Sequence, residues 1–297
     1  MFFFYFLAIL AALCWAVASL ISADLARSIG GLVFNRLRLF FVSIMLICYT
    51  TLIDTWNTIN FDYLNTILIS GVIGIFLGDT LLFMALQKIG PRRNNILFSL
   101  AAPFTVLLNI FILNKEMSSI NLIGCFIVFL GVIIAIIYGS SSNNLHRWEK
   151  IEGSIIVGII FGVLAALCQA VGLIIIKPIL DKGADPIASA ALRTSISCLL
   201  LACTFLFNSK NFSSRIKLNF SIIIKSIISG FLGMALGMSL LLISLQNADV
   251  GIVATLSSTS PIMILFFIWI ITKKKPTIGA WFGTAIAIIG TGLIFIY

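Results

Sequence analysis

The sequence predicts an all-α, polytopic membrane protein: ten transmembrane helices in two inverted five-helix repeats. Three observations carry that expectation. The 297 residues are 61% hydrophobic and 10% charged, whereas a soluble domain is about a quarter charged. Apolar runs recur along the whole chain, several of them longer than the roughly 18 residues that mark a helix able to cross the bilayer. The second half of the chain also repeats the first.

The first segment, "MFFFYFLAILAALCWAVASLI", has no basic leader and no clear small-residue cleavage site, so it reads as a retained helix over 3–24 rather than a signal peptide. Apolar runs bounded by polar punctuation then predict helices over 33–53, 65–87, 95–114 and 119–138. The longest polar break, "GSSSNNLHRWEKIEG" at 139–153, reads as a linker. Five more helices follow over 154–176, 187–207, 221–245, 251–271 and 277–297. The expected domains are therefore a first repeat over 1–138, a central linker over 139–153 and a second repeat over 154–297.

The repeat is visible residue by residue. "AALCWAV" at 11–17 aligns with "AALCQAV" at 165–171, and Leu37-Arg38 aligns with Leu192-Arg193. "ISGVIGIFLGDTLLFMALQ" at 69–87 aligns with "ISGFLGMALGMSLLLISLQ" at 228–246. Pro103 in "LAAPF" matches Pro261 in "STSPI", and Gly124 with Gly131 matches Gly283 with Gly290. Two consecutive copies of an odd number of helices enter the membrane in opposite directions. Such inverted repeats recur in secondary transporters, with the substrate site at the repeat interface near mid-membrane.

Charge constrains orientation and partners. Thirteen lysines and arginines are counted with the odd-numbered breaks, the "KIGPRR" turn with Lys88, Arg92 and Arg93 among them and Lys225 at the start of the eighth segment included, and three fall in the even-numbered ones. The positive-inside rule then puts the odd breaks in the cytoplasm and both termini outside. The formal charge of +9 is scattered over these breaks rather than gathered on one face, so no nucleic-acid partner is expected. The partners expected are a small-molecule substrate and the lipid bilayer, with a homodimer left open. No GxxxxGK[ST] phosphate loop is present, which argues against an ATP-driven pump in one chain. His146 is the single histidine and no cysteine pair has CxxC spacing. Neither a catalytic residue, a metal site nor a cofactor is expected, and the six cysteines read as packing residues.

Ten segments in two repeats, each with a proline in its fourth helix and a GxxxxxxG spacing in its fifth, resemble EamA-type members of the drug/metabolite transporter superfamily. The resemblance covers nearly the whole chain. The acidic residue that follows the helix-four proline is met by Glu116 in "PFTVLLNIFILNKE"; the second half has Lys274 there instead. The resemblance implies a carrier of small metabolites, amino acids or drug-like compounds, mostly as an exporter, in a bacterial inner membrane. It also implies cytoplasmic termini, against the charge count. A flippase for a lipid or lipid-linked sugar is the alternative within transport, and a membrane-embedded enzyme the less favoured alternative outside it.

Candidate site residues come from the polar groups inside apolar segments. Asp79 lies about mid-way along the third segment, where a carboxylate costs on the order of 3 kcal/mol unless paired, protonated or facing a polar cavity. It is either a proton-coupling, cation-binding or substrate-binding carboxylate, or a structural group, paired with Arg38 or held in a capped polar contact. Arg38 and Arg193 align, each expected close enough to a segment end to reach the interface, with a shared packing role or contact with an anionic substrate as the open readings. Trp15 and Gln169 occupy one repeat position and differ, as an asymmetric ligand would require; ordinary packing explains them equally. Pro103 and Pro261 are expected to interrupt their helices and free the carbonyls of Ser99 and Ser257, with Ser99, Ser257, Ser258 and Thr259 as polar residues around a substrate site.

Overall fold

The protein is described as a computed structural model covering residues 2–113, 118–138, 150–204, 214–247, 256–257, 259–273 and 275–294. The regular structure among these residues is helical. The helices are α1 (Phe2–Ile29), α2 (Gly31–Ile53), α3 (Leu64–Gly71), α4 (Gly78–Phe98), α5 (Ala101–Leu113), α6 (Ser119–Ile137), α7 (Ile155–Asp181), α8 (Pro186–Cys203), α9 (Phe220–Gly230), α10 (Gly237–Asn247), α11 (Ser260–Thr272) and α12 (Ile278–Ile294). A π-helical turn, Val72–Leu77, joins α3 to α4, and a second, Phe231–Leu236, joins α9 to α10.

Local chemistry sets most of the ends. Asp185 caps α8 by accepting from the backbone N–H of Ile187 and Ala188, with Pro186 in the first turn. Asn219 and Ser118 cap α9 and α6 in the same way. Gly30, at φ 97°, is all that separates α1 from α2, where the sequence predicted a break of eight residues. Ala23, Leu25 and Ala26 are helix formers buried against the core, and they carry α1 through the polar stretch.

Among the described residues, seven helical stretches are long and apolar enough to cross a membrane, with Ser260–Thr272 and Ile278–Ile294 as shorter apolar helices. The surface is turned inside out relative to a soluble protein. Phe126 is 64% exposed and Leu199 63%, while Asn35, Ser70, Thr194 and Ser197 are at 0%. Apolar side chains outside and polar ones inside, on helices of spanning length, make this an integral multi-pass membrane protein.

The two halves are interleaved. α1 packs on α9, its π turn and α10, while α7 packs on α3, its π turn and α4. α2 packs on both α8 and α9, and α6 lies along α12. Equivalent small residues make these contacts. Ser70 Oγ donates to Gly172 O at 2.7 Å, and the aligned Ser229 Oγ donates to Ala18 O at 3.4 Å. Along α6 and α12 the glycines noted in the sequence interlock: a Cβ at Gly131 would lie 2.7 Å from Gly283 O, and one at Gly283 would lie 2.7 Å from Gly131 O. Only hydrogen at these positions allows two helices to approach so closely.

The fourth predicted segment is drawn differently by the structure. α4 runs on through residue 87, turns at Gly90 (φ 81°, ψ 169°), and restarts with Pro91 as a short half-helix ending at Phe98. A second break at Ser99 and Leu100 precedes α5. Pro103 thus lies in the first turn of α5, where no intrahelical donor is lost, and Ser99 O accepts from Ala102 N at 3.3 Å instead of being freed. Pro261 likewise opens α11, whose preceding Thr259 O accepts from Ile262 N and Met263 N. Both prolines start helices; neither kinks one from within.

The basic "KIGPRR" turn is also corrected. Arg92 is 6% exposed and Arg93 1%, so neither serves as a solvated orientation charge. Helix ends leave carbonyls without intrahelical donors inside the protein, and the two guanidinium groups satisfy one at the reversal and one near the C-terminal end of α6. Arg93 donates to Ile89 O at 3.2 Å, and Arg92 reaches across to Ala135 O on α6 at 3.0 Å. Glu116, His146, Ser258 and Lys274 lie outside the described residues.

Candidate functional site

The polar interior gathers around the two π turns. Each turn is framed by glycines at one spacing, Gly71, Gly74 and Gly78 in the first half and Gly230, Gly233 and Gly237 in the second. A Cβ at Gly74 would lie 2.9 Å from Arg193 Nη2 and 3.2 Å from Gly172 Cα. At the aligned Gly233 it would lie 3.7 Å from Arg38 Nη2. Each arginine therefore reaches from its own half onto the π turn of the other. π turns inside long helices recur at functional sites.

Arg38 is partnered at both terminal nitrogens. Its Nη1 donates to Asp79 Oδ2 at 2.8 Å, a pair whose side chains are 7% and 13% exposed. Nη2 lies 3.3 Å from the Met234 sulfur, and the guanidinium sits 5.0 Å from the Phe83 ring centroid. The expectation that Arg38 extends to the interface is overturned: Asp79 supplies the counter-ion inside, so the arginine has no need to reach water. The ion-pair alternative for Asp79 is the arrangement observed. Beside it, Asn35 Nδ2 donates to Thr80 Oγ1 at 3.1 Å.

Arg193 is placed otherwise. It lines a cavity of about 80 Å³ together with Gln169, Ser189, Ser239, Met234 and Met238, the remaining wall being aliphatic from Leu46 and Ile75 to Ile187. Elements of both halves contribute: α2 and the first π turn on one side, α7, α8, the second π turn and α10 on the other. Arg193 Nε is buried without a hydrogen-bond partner among the described residues, and so is Ser189 Oγ one turn earlier on α8. Asp79 is within electrostatic range of Arg193 but is bonded to Arg38.

The remaining sequence candidates divide. Gln169 lines the cavity, whereas Trp15, its repeat counterpart, does not; its Nε1 donates to Gly233 O at 2.8 Å and braces the second π turn behind Met234. Ser99, Ser257 and Thr259 are not among the cavity's residues. Ser99 Oγ donates to Ile96 O and Thr259 Oγ1 to Leu256 O, both at 2.7 Å, which are local bonds at helix breaks. The proline breaks and the cavity are thus separate features. Ser189, Ser239, Met234 and Met238 were missed. The signals were present: Ser189 and Arg193 are spaced i, i+4 on one helix face, and the glycine triplets mark both π turns. Among the described residues no cluster of metal-ligating side chains occurs.

The profile of the EamA-like transporter family matches residues 2–137 and again 156–296. The chain belongs to the EamA-like transporter family. That sets it among membrane transporters rather than enzymes at the level of the family. A solved crystal structure covering 98% of this chain and 95% of its own superposes with a TM-score of 0.67 at 14% identity, a likeness of fold alone. No curated protein matches.

Proposed function

We propose that this EamA-family protein is a secondary-active carrier of a small metabolite in a bacterial inner membrane, working as an exporter. Ten transmembrane helices form two inverted five-helix repeats, 1–138 and 154–297, that rock about the interface between them. The observation that carries this reading is the cavity itself, walled by both halves next to paired π turns and holding Gln169 and Arg193. Polar groups converging in a largely apolar cavity are the usual form of a small-molecule site, and an ionisable side chain inside a membrane marks a substrate or ion pathway.

The interlocked α6 and α12 form the fixed spine of this scheme, while the π turns supply the two places where a long helix can change register. Protons enter only where the Asp79–Arg38 pair opens, and efflux without pH dependence removes that step. The odd-numbered breaks face the cytoplasm by charge, so a cysteine replacing the exposed Lys150 should react with a membrane-impermeant reagent from the cytoplasmic side.

The reading is tested with purified protein in liposomes loaded with a metabolite mixture and no nucleotide. Selective loss of one or a few metabolites from the lumen is the expected result. Movement only when ATP is supplied sinks the carrier.

A further inference from the structure

The two arginines occupy one repeat position but meet different neighbours. In the first half, the residue facing Arg38 is Asp79. Its aligned residue in the second half is Met238, and Met238 lines the cavity with Arg193. The other neighbours correspond as well: Met234, on Arg38, aligns with Ile75, on the wall beside Arg193. The position of Phe34, which packs edge-on against Phe83 at 4.9 Å between centroids, is taken by Ser189. The second half thus repeats the arginine, omits its carboxylate, and replaces a filling aromatic ring by a hydroxyl at the cavity wall.

From these observations we infer that the ligand of this cavity is a small carboxylic acid whose carboxylate takes, on Arg193, the place that Asp79 takes on Arg38. The inference deepens the carrier reading and rests on it. Two observations meet in the site. A guanidinium buried in an apolar setting calls for an anion and fits a carboxylate with two parallel N–H donors. Ser189 Oγ, on a residue 1% exposed, has no hydrogen-bond partner among the described residues and opens on the same cavity. Buried polar groups are ordinarily satisfied, and an orphan at a cavity wall is the place for a ligand atom. Gln169 supplies both a donor and an acceptor for the rest of the molecule. Asp79 attracts Arg193 electrostatically, but its Oδ2 is bonded to Arg38, and among the described residues no ion pair joins it to Arg193.

Size narrows the class. A cavity of about 80 Å³ is several times the roughly 10–15 Å³ that a single water needs and well below the roughly 300–1,000 Å³ of drug-sized sites. That is room for a short-chain acid rather than a lipid tail or an aromatic drug. The aliphatic wall from Leu173 to Ile187 suits the apolar end of such a molecule.

The experiment measures the unfolding temperature of the purified full-length protein in detergent with lactate, pyruvate, succinate and alanine, against lactamide and succinamide as neutral isosteres. A ligand that binds only the folded state raises that temperature with concentration. At least one acid should do so and its amide should not. Arg193→Gln should lose the shift. Met238→Asp should also lose it, because the new carboxylate occupies Arg193 from within, and should lose far more of it than Met238→Asn, of the same size but uncharged. Amides acting as strongly as acids, an acid shift that survives Met238→Asp, equal loss in Met238→Asn, or no shift with any acid would each overturn the inference. Efflux from liposomes made with the same preparations separates the two levels. Efflux intact with no acid bound removes the carboxylate and leaves the carrier; acid binding without efflux of any metabolite supports the site and removes the carrier.

Discussion

Arg38 and Arg193 stand at the same point of a repeated sequence, and one is locked while the other opens on a cavity. Arg38 has a carboxylate at 2.8 Å, a methionine sulfur and an aromatic face around it. Arg193 has Met238 where that carboxylate would be, and a hollow where Phe34 would pack. A duplicated scaffold needs its charge satisfied in both halves to be stable. On the proposed reading, leaving one half incomplete spends some of that stability on a place for something from outside. The first half shows what the second half's arginine would look like when occupied.

That contrast can be broken at either end. The largest effect is expected from Asp79→Leu, which strands Arg38 with no counter-ion inside the membrane domain. Loss of one partner of a buried pair costs about 3–5 kcal/mol, seen as a marked fall in the unfolding temperature. Replacing both residues, Asp79→Leu with Arg38→Met, should recover most of it, and no recovery would mean that the pair is not the reason for the loss. Next comes Gly74→Ala. Its Cβ would meet Arg193 Nη2 at 2.9 Å, and overpacking of this kind costs about 1–3 kcal/mol; efflux should fall further than stability because Arg193 is the group displaced. Trp15→Phe removes the bond to Gly233 O and keeps the ring, so a change of about 1 kcal/mol is expected with efflux largely retained. Loss of efflux there would place Trp15 in contact with the ligand.

How much of this was legible in the sequence depends on what kind of signal each feature leaves. Hydrophobic run length and the glycine spacing of α6 and α12 are local patterns, and both are realised, the latter as interlocked backbones. The pairing of Arg38 with Asp79 was readable as one of two alternatives, because charge inside an apolar segment must be answered somewhere. The burial of Arg92 and Arg93 was not readable. A basic turn after Gly-Pro looks the same whether its charges face water or satisfy carbonyls such as Ala135 O on a distant helix. Nor was the location of the cavity, since it depends on how α8 and the second π turn come together rather than on the proline breaks where Ser99 and Thr259 sit. Gln169 and Arg193 were found as candidates through the repeat alignment, and Ser189 was missed because its alignment to Phe34 is informative only beside a known neighbour.

The most direct test compares Arg193→Gln with Arg38→Gln in the metabolite-loaded liposomes, each first checked for its unfolding temperature. The account predicts that Arg38→Gln is strongly destabilised, whereas Arg193→Gln unfolds close to the unaltered protein and has lost efflux. A stable, folded Arg193→Gln protein that still empties the liposomes at the original rate would contradict it.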